Sequence, residues 1–173
     1  MNAGMYSSRT CEWETPQALF DRLNAIYHFE TDVCATPENA KCAKYYTREQ
    51  DGLAQEWKGV CWMNPPYGRE IGKWMRKAYT SAQAGAVVVC LVPARTDTGW
   101  WHETVMQGGQ IHFVRGRLKF GKSKGNAPFP SAVVVFDGRM GWLHGGSTCT
   151  DVSDAERGRA GSPSAGHAST AGR

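Results

Sequence analysis

The sequence predicts an α/β fold with a largely parallel central sheet covered on both faces. Residues 86–92 and 131–136 are continuous apolar runs, as expected of strands buried on both sides; a sheet with one wet face would alternate. Stretches with helical spacing, 15–27 and 71–84, are interleaved with strand-like runs, and that alternation is the mark of layered α/β packing.

In chain order, 15–27 is expected to be a helix. Thr15 caps it, Pro16 suits its first turn, and Leu19, Phe20, Leu23 and Ile26 share one side. A short strand over 29–34 and one or two helical turns over 37–43 follow. The compact apolar run 59–63 reads as a strand that stops at the turn-forming Asn64-Pro65-Pro66. The helix over 71–84 carries Ile71, Trp74, Met75 and Ala78 on one face. The strand over 86–92 ends at Pro93, and a short helix over 98–106 leads to a strand over 110–114. The run 131–136 is again a strand, and 141–144 an edge strand. After Gly145 the chain is dominated by Gly, Ser, Ala and Thr, which cannot bury enough surface to offset the entropy of ordering. The expected organisation is therefore an N-terminal arm (1–12), one domain (13–144) and a disordered tail (145–173).

Bulk composition bounds the function only loosely. No apolar run approaches the roughly 20 residues that span a bilayer, and 1–9 lack the apolar stretch of a signal peptide, so a soluble cytoplasmic protein without membrane association is expected. The net charge of +4 is compatible with a polyanionic partner. Six cysteines (11, 34, 42, 61, 90 and 149) include no Cys-x-x-Cys pair, so reduced structural thiols are expected and no metal site.

Chemistry concentrates in Asn64-Pro65-Pro66-Tyr67, directly after a strand, where open α/β sheets gather their ligands. Two prolines stiffen the backbone and remove two donors, so carbonyls can face a pocket while the Asn and Tyr side chains keep fixed directions. Such a site suits a conjugated amine attacking a methyl sulfonium. The Asn oxygen and a neighbouring carbonyl accept the amine hydrogens and aim its lone pair, and Tyr67 offers a face on which an extruded base stacks for about 1–3 kcal/mol. Neither metal nor covalent nucleophile is required. The competing reading is a rigid turn.

Several stretches, taken in order, resemble the phage DNA N-6-adenine-methyltransferase family. They are Trp13-Glu14-Thr15-Pro16 with Leu19-Phe20, Thr31-Asp32-Val33-Cys34-Ala35, Asn39-Ala40-Lys41, Tyr45-Tyr46-Thr47, and Asp51-Gly52-Leu53 with Trp57. Further along stand Asn64-Pro65-Pro66-Tyr67-Gly68, Leu91-Val92-Pro93-Ala94-Arg95-Thr96-Asp97-Thr98 with Trp100-Trp101-His102, and Gly116-Arg117-Leu118-Lys119-Phe120. The resemblance implies a compact, Rossmann-like domain that transfers a methyl group from S-adenosylmethionine to the 6-amino group of adenine in double-stranded DNA. It implies a phage or prophage origin, with Asn64, Pro65, Pro66 and Tyr67 at the catalytic pocket. The glycine-rich cofactor loop usual in adenine methyltransferases is missing, and Asp32 admits two alignments: the acid opening that loop, near the methionine end, or the acid on the next strand that binds ribose. Asp51 resembles the acid contacting the cofactor's adenine, Thr15 and Pro16 resemble a segment closing over the methionine, and Ala35 falls in the same cofactor group.

Arg95 and Trp100, after the strongest strand, are expected to meet DNA, although paired tryptophans are equally at home as core or lid packing. The segment 115–124 holds five cations interleaved with glycine, and Arg117, Lys119, Lys122 and Lys124 are expected at phosphates with Phe120 as a wedge; a solvated basic loop is the alternative. So short a chain shows no separate recognition domain, leaving loose specificity or a homodimer. Two rivals remain: the same chemistry on RNA or protein glutamine, and a non-catalytic nucleic-acid-binding module.

Overall fold

The computed structural model describes residues 13–140, except Lys122 and Lys124, together with 149–151. The expected arm (1–12), the edge strand over 141–144 and positions 152–173 lie outside the described residues. The strand Cys149–Asp151 (β7) falls where composition suggested only a tail; it pairs in parallel with Gln110–Phe113 (β5) through backbone groups, which need no apolar side chains.

A seven-stranded sheet carries the fold. Its other strands are Thr31–Asp32 (β1), Lys44–Tyr45 (β2), Val60–Met63 (β3), Val87–Pro93 (β4) and Ser131–Asp137 (β6), in the order β2-β1-β3-β4-β6-β5-β7. The expectation of a mostly parallel sheet is corrected. β2, β1, β3 and β4 run together, but β6 runs against both β4 and β5, making the sheet mixed. Hydropathy reveals burial of both faces but not strand direction, so β6 reads the same either way round.

Register shows how the faces are covered. Residues paired across strands share a face, so Trp62, Val89 and Val135 lie on one side and Cys61, Val88 and Phe136 on the other. Helix Gln17–Tyr27 (α1) packs Phe20 edge-on against Trp62, with ring centroids 5.5 Å apart. Helix Ile71–Gln83 (α2) sets Tyr79 edge-on against Phe136, at 5.9 Å. The two helices therefore cover opposite faces, giving three layers. Cys61 and Cys90 are buried free thiols, and burial pushes the Cys61 thiol up to about 11.

Local expectations differ at three places. Pro16, not Thr15, holds the N-cap position of α1, and no side chain caps the helix. Residues 37–43 form turns rather than helix, and the 98–106 stretch contains the π-helical turn Trp101–Val105. Among the described residues no helix is long and apolar enough to cross a membrane.

Candidate active site

The chain leaves β1 toward β2 on one side and leaves β3 toward β4 on the other. Neighbouring parallel strands whose connections diverge leave a crevice at their carboxyl ends. Here that crevice is a cavity of about 960 Å³, walled by Asp32 at the end of β1, by Asn64-Pro65-Pro66 after β3, and by Trp13-Glu14-Thr15 from ahead of α1.

Asn64 is held at one end of its carboxamide. Its Nδ2 donates to the Trp13 carbonyl and to Thr15 Oγ1, the latter at 2.9 Å. A carbonyl only accepts, so the amide atom facing Trp13 has to be nitrogen. The other end, Oδ1, is buried and accepts no hydrogen bond among the described residues. Buried acceptors usually find a donor, and an unpaired one costs about 1–3 kcal/mol. Asn64, a residue of the cavity wall, thus carries an unspent acceptor.

Asp32 is buried, with 3% of its surface exposed. Its two oxygens accept from the backbone N–H groups of Cys34 (3.2 Å) and Lys41 (3.1 Å). Burial nevertheless prevails over these bonds and raises its pKa to about 6, while the Lys41 charge pulls weakly the other way. Lys41 also lines the cavity. Its ammonium donates to Gln17 Oε1 at 2.9 Å and stands 3.9 Å from Glu14. No charge pattern singled out Lys41, because its spacing from Asp32 becomes meaningful only when the turn between them folds back.

Asp51-Gly52-Leu53 form a further part of the wall. Asp51 has φ 49°, and its Oδ1 accepts from Leu53 N–H at 3.1 Å, closing a turn. A Cβ on Gly52 would collide with the Val33 carbonyl oxygen and crowd Trp74. Trp57 Nε1 donates to the Gly52 carbonyl at 2.8 Å, pinning this wall against the exit from β1. Ala35 lines the cavity, and Pro16 does not.

These elements match a family. Residues 5–140 fit the family described as DNA N-6-adenine-methyltransferase (Dam). The chain belongs to that family. It is 28% identical over 134 residues to the DNA N-6-adenine-methyltransferase of Haemophilus phage HP1, covering 72% of this chain and 78% of the relative. It is 30% identical over 110 residues to the protein of the same name from Escherichia phage T1, covering 61% of this chain and 45% of that longer relative. Membership in this family makes the chain an enzyme that needs a methyl donor.

The remaining residues singled out from the sequence lie elsewhere. Tyr67 is not on the cavity wall, so the expected base-stacking platform is corrected. Its ring is buried edge-on against Phe120 (6.0 Å) and Phe129 (5.6 Å), and its hydroxyl donates to the Leu91 carbonyl at 3.0 Å. A buried phenol needs an acceptor, and satisfying it here ties the Asn-Pro-Pro turn to β4. Phe120 is buried in the same aromatic group and is not a wedge. Arg95 is exposed, and Trp100 is half-buried against Trp101, 5.5 Å away, whose own ring is core. Neither Arg95 nor Trp100 lines the cavity. Arg117 and Lys119 are exposed, and Lys122 and Lys124 lie outside the described residues. The basic segment is fastened beside the site: Gly121 N–H donates to the Glu14 carbonyl at 2.9 Å, and Trp13 packs on Phe120 and Phe129.

Proposed function

We propose that this enzyme transfers a methyl group from S-adenosylmethionine to the exocyclic 6-amino group of adenine in double-stranded DNA, acting on a base turned out of the helix. The observation that carries the reading is the carboxamide of Asn64, a cavity-lining residue, tied down through its nitrogen with its oxygen buried and unpaired. That oxygen accepts one amine hydrogen, and the Pro65 carbonyl, on a backbone stripped of N–H donors, accepts the other. The amine lone pair is thereby drawn out of conjugation and aimed.

The residues present fit the cofactor. The cavity volume is within the range of about 300–1,000 Å³ usual for small-molecule sites. When bound, S-adenosylmethionine supplies an electrophilic methyl group on sulfur. Its amino-acid end is a zwitterion, and the wall offers a matching pair: the Asp32 carboxylate for the ammonium and Lys41 for the carboxylate. Asp32 ends β1, with β2 beyond it, which favours the methionine-end alignment over the ribose one. Asp51, Tyr46 and Trp74 line the wall left for the adenosine. The strand order with a single reversed strand, β6, supports the Rossmann-like reading. Exposed Arg117 and Lys119 lie next to the loop fastened on Glu14, and this basic segment is the DNA-facing side.

The test is incubation with methyl-labelled cofactor and, separately, DNA, RNA and protein, followed by nucleoside analysis. Label in N6-methyl-2′-deoxyadenosine from DNA is expected. Label confined to RNA or to protein would reject the substrate, and no uptake of cofactor by calorimetry would reject the enzyme reading.

A further inference from the structure

We infer that the Thr15 hydroxyl, as second acceptor, immobilises the Asn64 carboxamide in the orientation that the Trp13 carbonyl selects, making Thr15 a positioning residue rather than a helix cap or a cofactor ligand. The inference rests on the catalytic reading of Asn64 given above. The two ends of a carboxamide are nearly isosteric, so rotation by half a turn about the last side-chain bond exchanges oxygen for nitrogen at little steric cost. Only hydrogen-bond partners choose between them.

Nδ2 has two hydrogens, and two acceptors take them: the Trp13 carbonyl and Thr15 Oγ1. In the reversed orientation Oδ1 would oppose the Trp13 carbonyl, acceptor against acceptor, and a donor would replace the unpaired acceptor. A donor there repels the amine hydrogens that the reaction needs to engage. Thr15 is well placed to hold the choice. It is buried, its hydroxyl makes no cap to α1, and its β-branched side chain has few rotamers. Its backbone is fixed on one side by the start of α1, where Leu19 and Phe20 N–H donate to the Pro16 carbonyl. On the other side, the neighbouring Glu14 carbonyl is bonded by Gly121 N–H.

Three variants test this: Thr15→Val, nearly isosteric but without a second acceptor; Thr15→Ser, which keeps it; and Thr15→Ala as a reserve should the valine variant not fold. Loss of the hydroxyl is expected to lower the single-turnover methylation rate about tenfold or more, as loss of a buried hydrogen bond implies. The Kd for S-adenosylhomocysteine stays at the wild-type value, and Thr15→Ser recovers the rate. A readout independent of turnover is proton exchange of the Asn64 side-chain amide, followed by NMR on the protein alone. Exchange should be slow in wild type and Thr15→Ser, and at least several-fold faster in Thr15→Val or Thr15→Ala. Unchanged rate and unchanged amide exchange on removing the hydroxyl would overturn the inference. So would a weakened Kd with an unchanged rate, which would make Thr15 a cofactor contact. Wild-type protein inert on DNA would instead sink the functional reading, and amide exchange would then decide the Thr15 assignment alone.

Discussion

β4 and β6 pair over seven residues, and their facing stretches are apolar and buried almost throughout, whereas β1 and β2 pair over only two residues before the chain turns away. The long antiparallel pair holds no cavity wall; the short parallel strands and the turns after them supply most of it. In the first region apolar side chains meet apolar side chains along a long ladder, and the buried Ser131 Oγ is an unpaired polar exception at its end. In the second, a carboxylate is buried at the expense of its ionisation and a carboxamide oxygen has no partner. Stability and reactivity thus sit in different halves of one sheet, and what marks the working half is polar groups gathered around a cavity.

Mutation can test that division. Leu91 is fully buried in β4, and Leu91→Ala should cost about 2–5 kcal/mol by chemical denaturation, with the cofactor Kd of the folded fraction unaltered. A marked loss of affinity without loss of stability would dissolve the distinction.

Asp32 sharpens it from the other side. Its pKa is raised, so the folded state holds the proton more tightly than the unfolded chain. Stability should therefore fall as pH rises from about 4 to about 6 and level off above. The rise from 3.8 to about 6 corresponds to at most roughly 3 kcal/mol. Asp32→Asn should remove this pH dependence and bind cofactor poorly, and its amide nitrogen would oppose one of the two N–H groups that the carboxylate satisfies. In wild type, a cationic ammonium at Asp32 favours the carboxylate, so affinity for S-adenosylhomocysteine should increase as pH rises through about 6. Calorimetry and denaturation across pH check both signs.

Gly52→Ala forces a methyl group into the Val33 carbonyl. Overpacking of this kind costs about 1–3 kcal/mol, and here it should displace the cavity wall and weaken cofactor binding as well. Lys41→Met is expected to have the smallest effect, about tenfold in Kd. It should appear with S-adenosylhomocysteine and vanish with 5′-methylthioadenosine, which lacks the amino-acid end. Equal losses for both ligands would place Lys41 in the scaffold.

What could be read from the sequence follows the same boundary. The apolar runs behind β4 and β6 and the helical spacing of α1 and α2 are strong because burial repeats over many residues. The direction of β6 was invisible, since hydropathy carries no polarity. That Asn64, Asp32 and Asp51 line the cavity is legible because chemistry-bearing residues follow strands or form turns. Tyr67 was assigned to stacking because sequence cannot tell which way a ring faces; here the Leu91 carbonyl claims its hydroxyl and draws it into the core. Lys41 and the Trp13 carbonyl act through contacts across 9 and 51 residues of separation, which no local pattern encodes.

The most direct measurement is single-turnover methylation of DNA by Asn64→Ala beside wild type, with S-adenosylhomocysteine binding measured on the same samples. By analogy with removal of one polar group that stabilises a transition state, the rate should drop about 10²–10³-fold with the Kd little changed. A variant that methylates adenine at the wild-type rate would contradict the account.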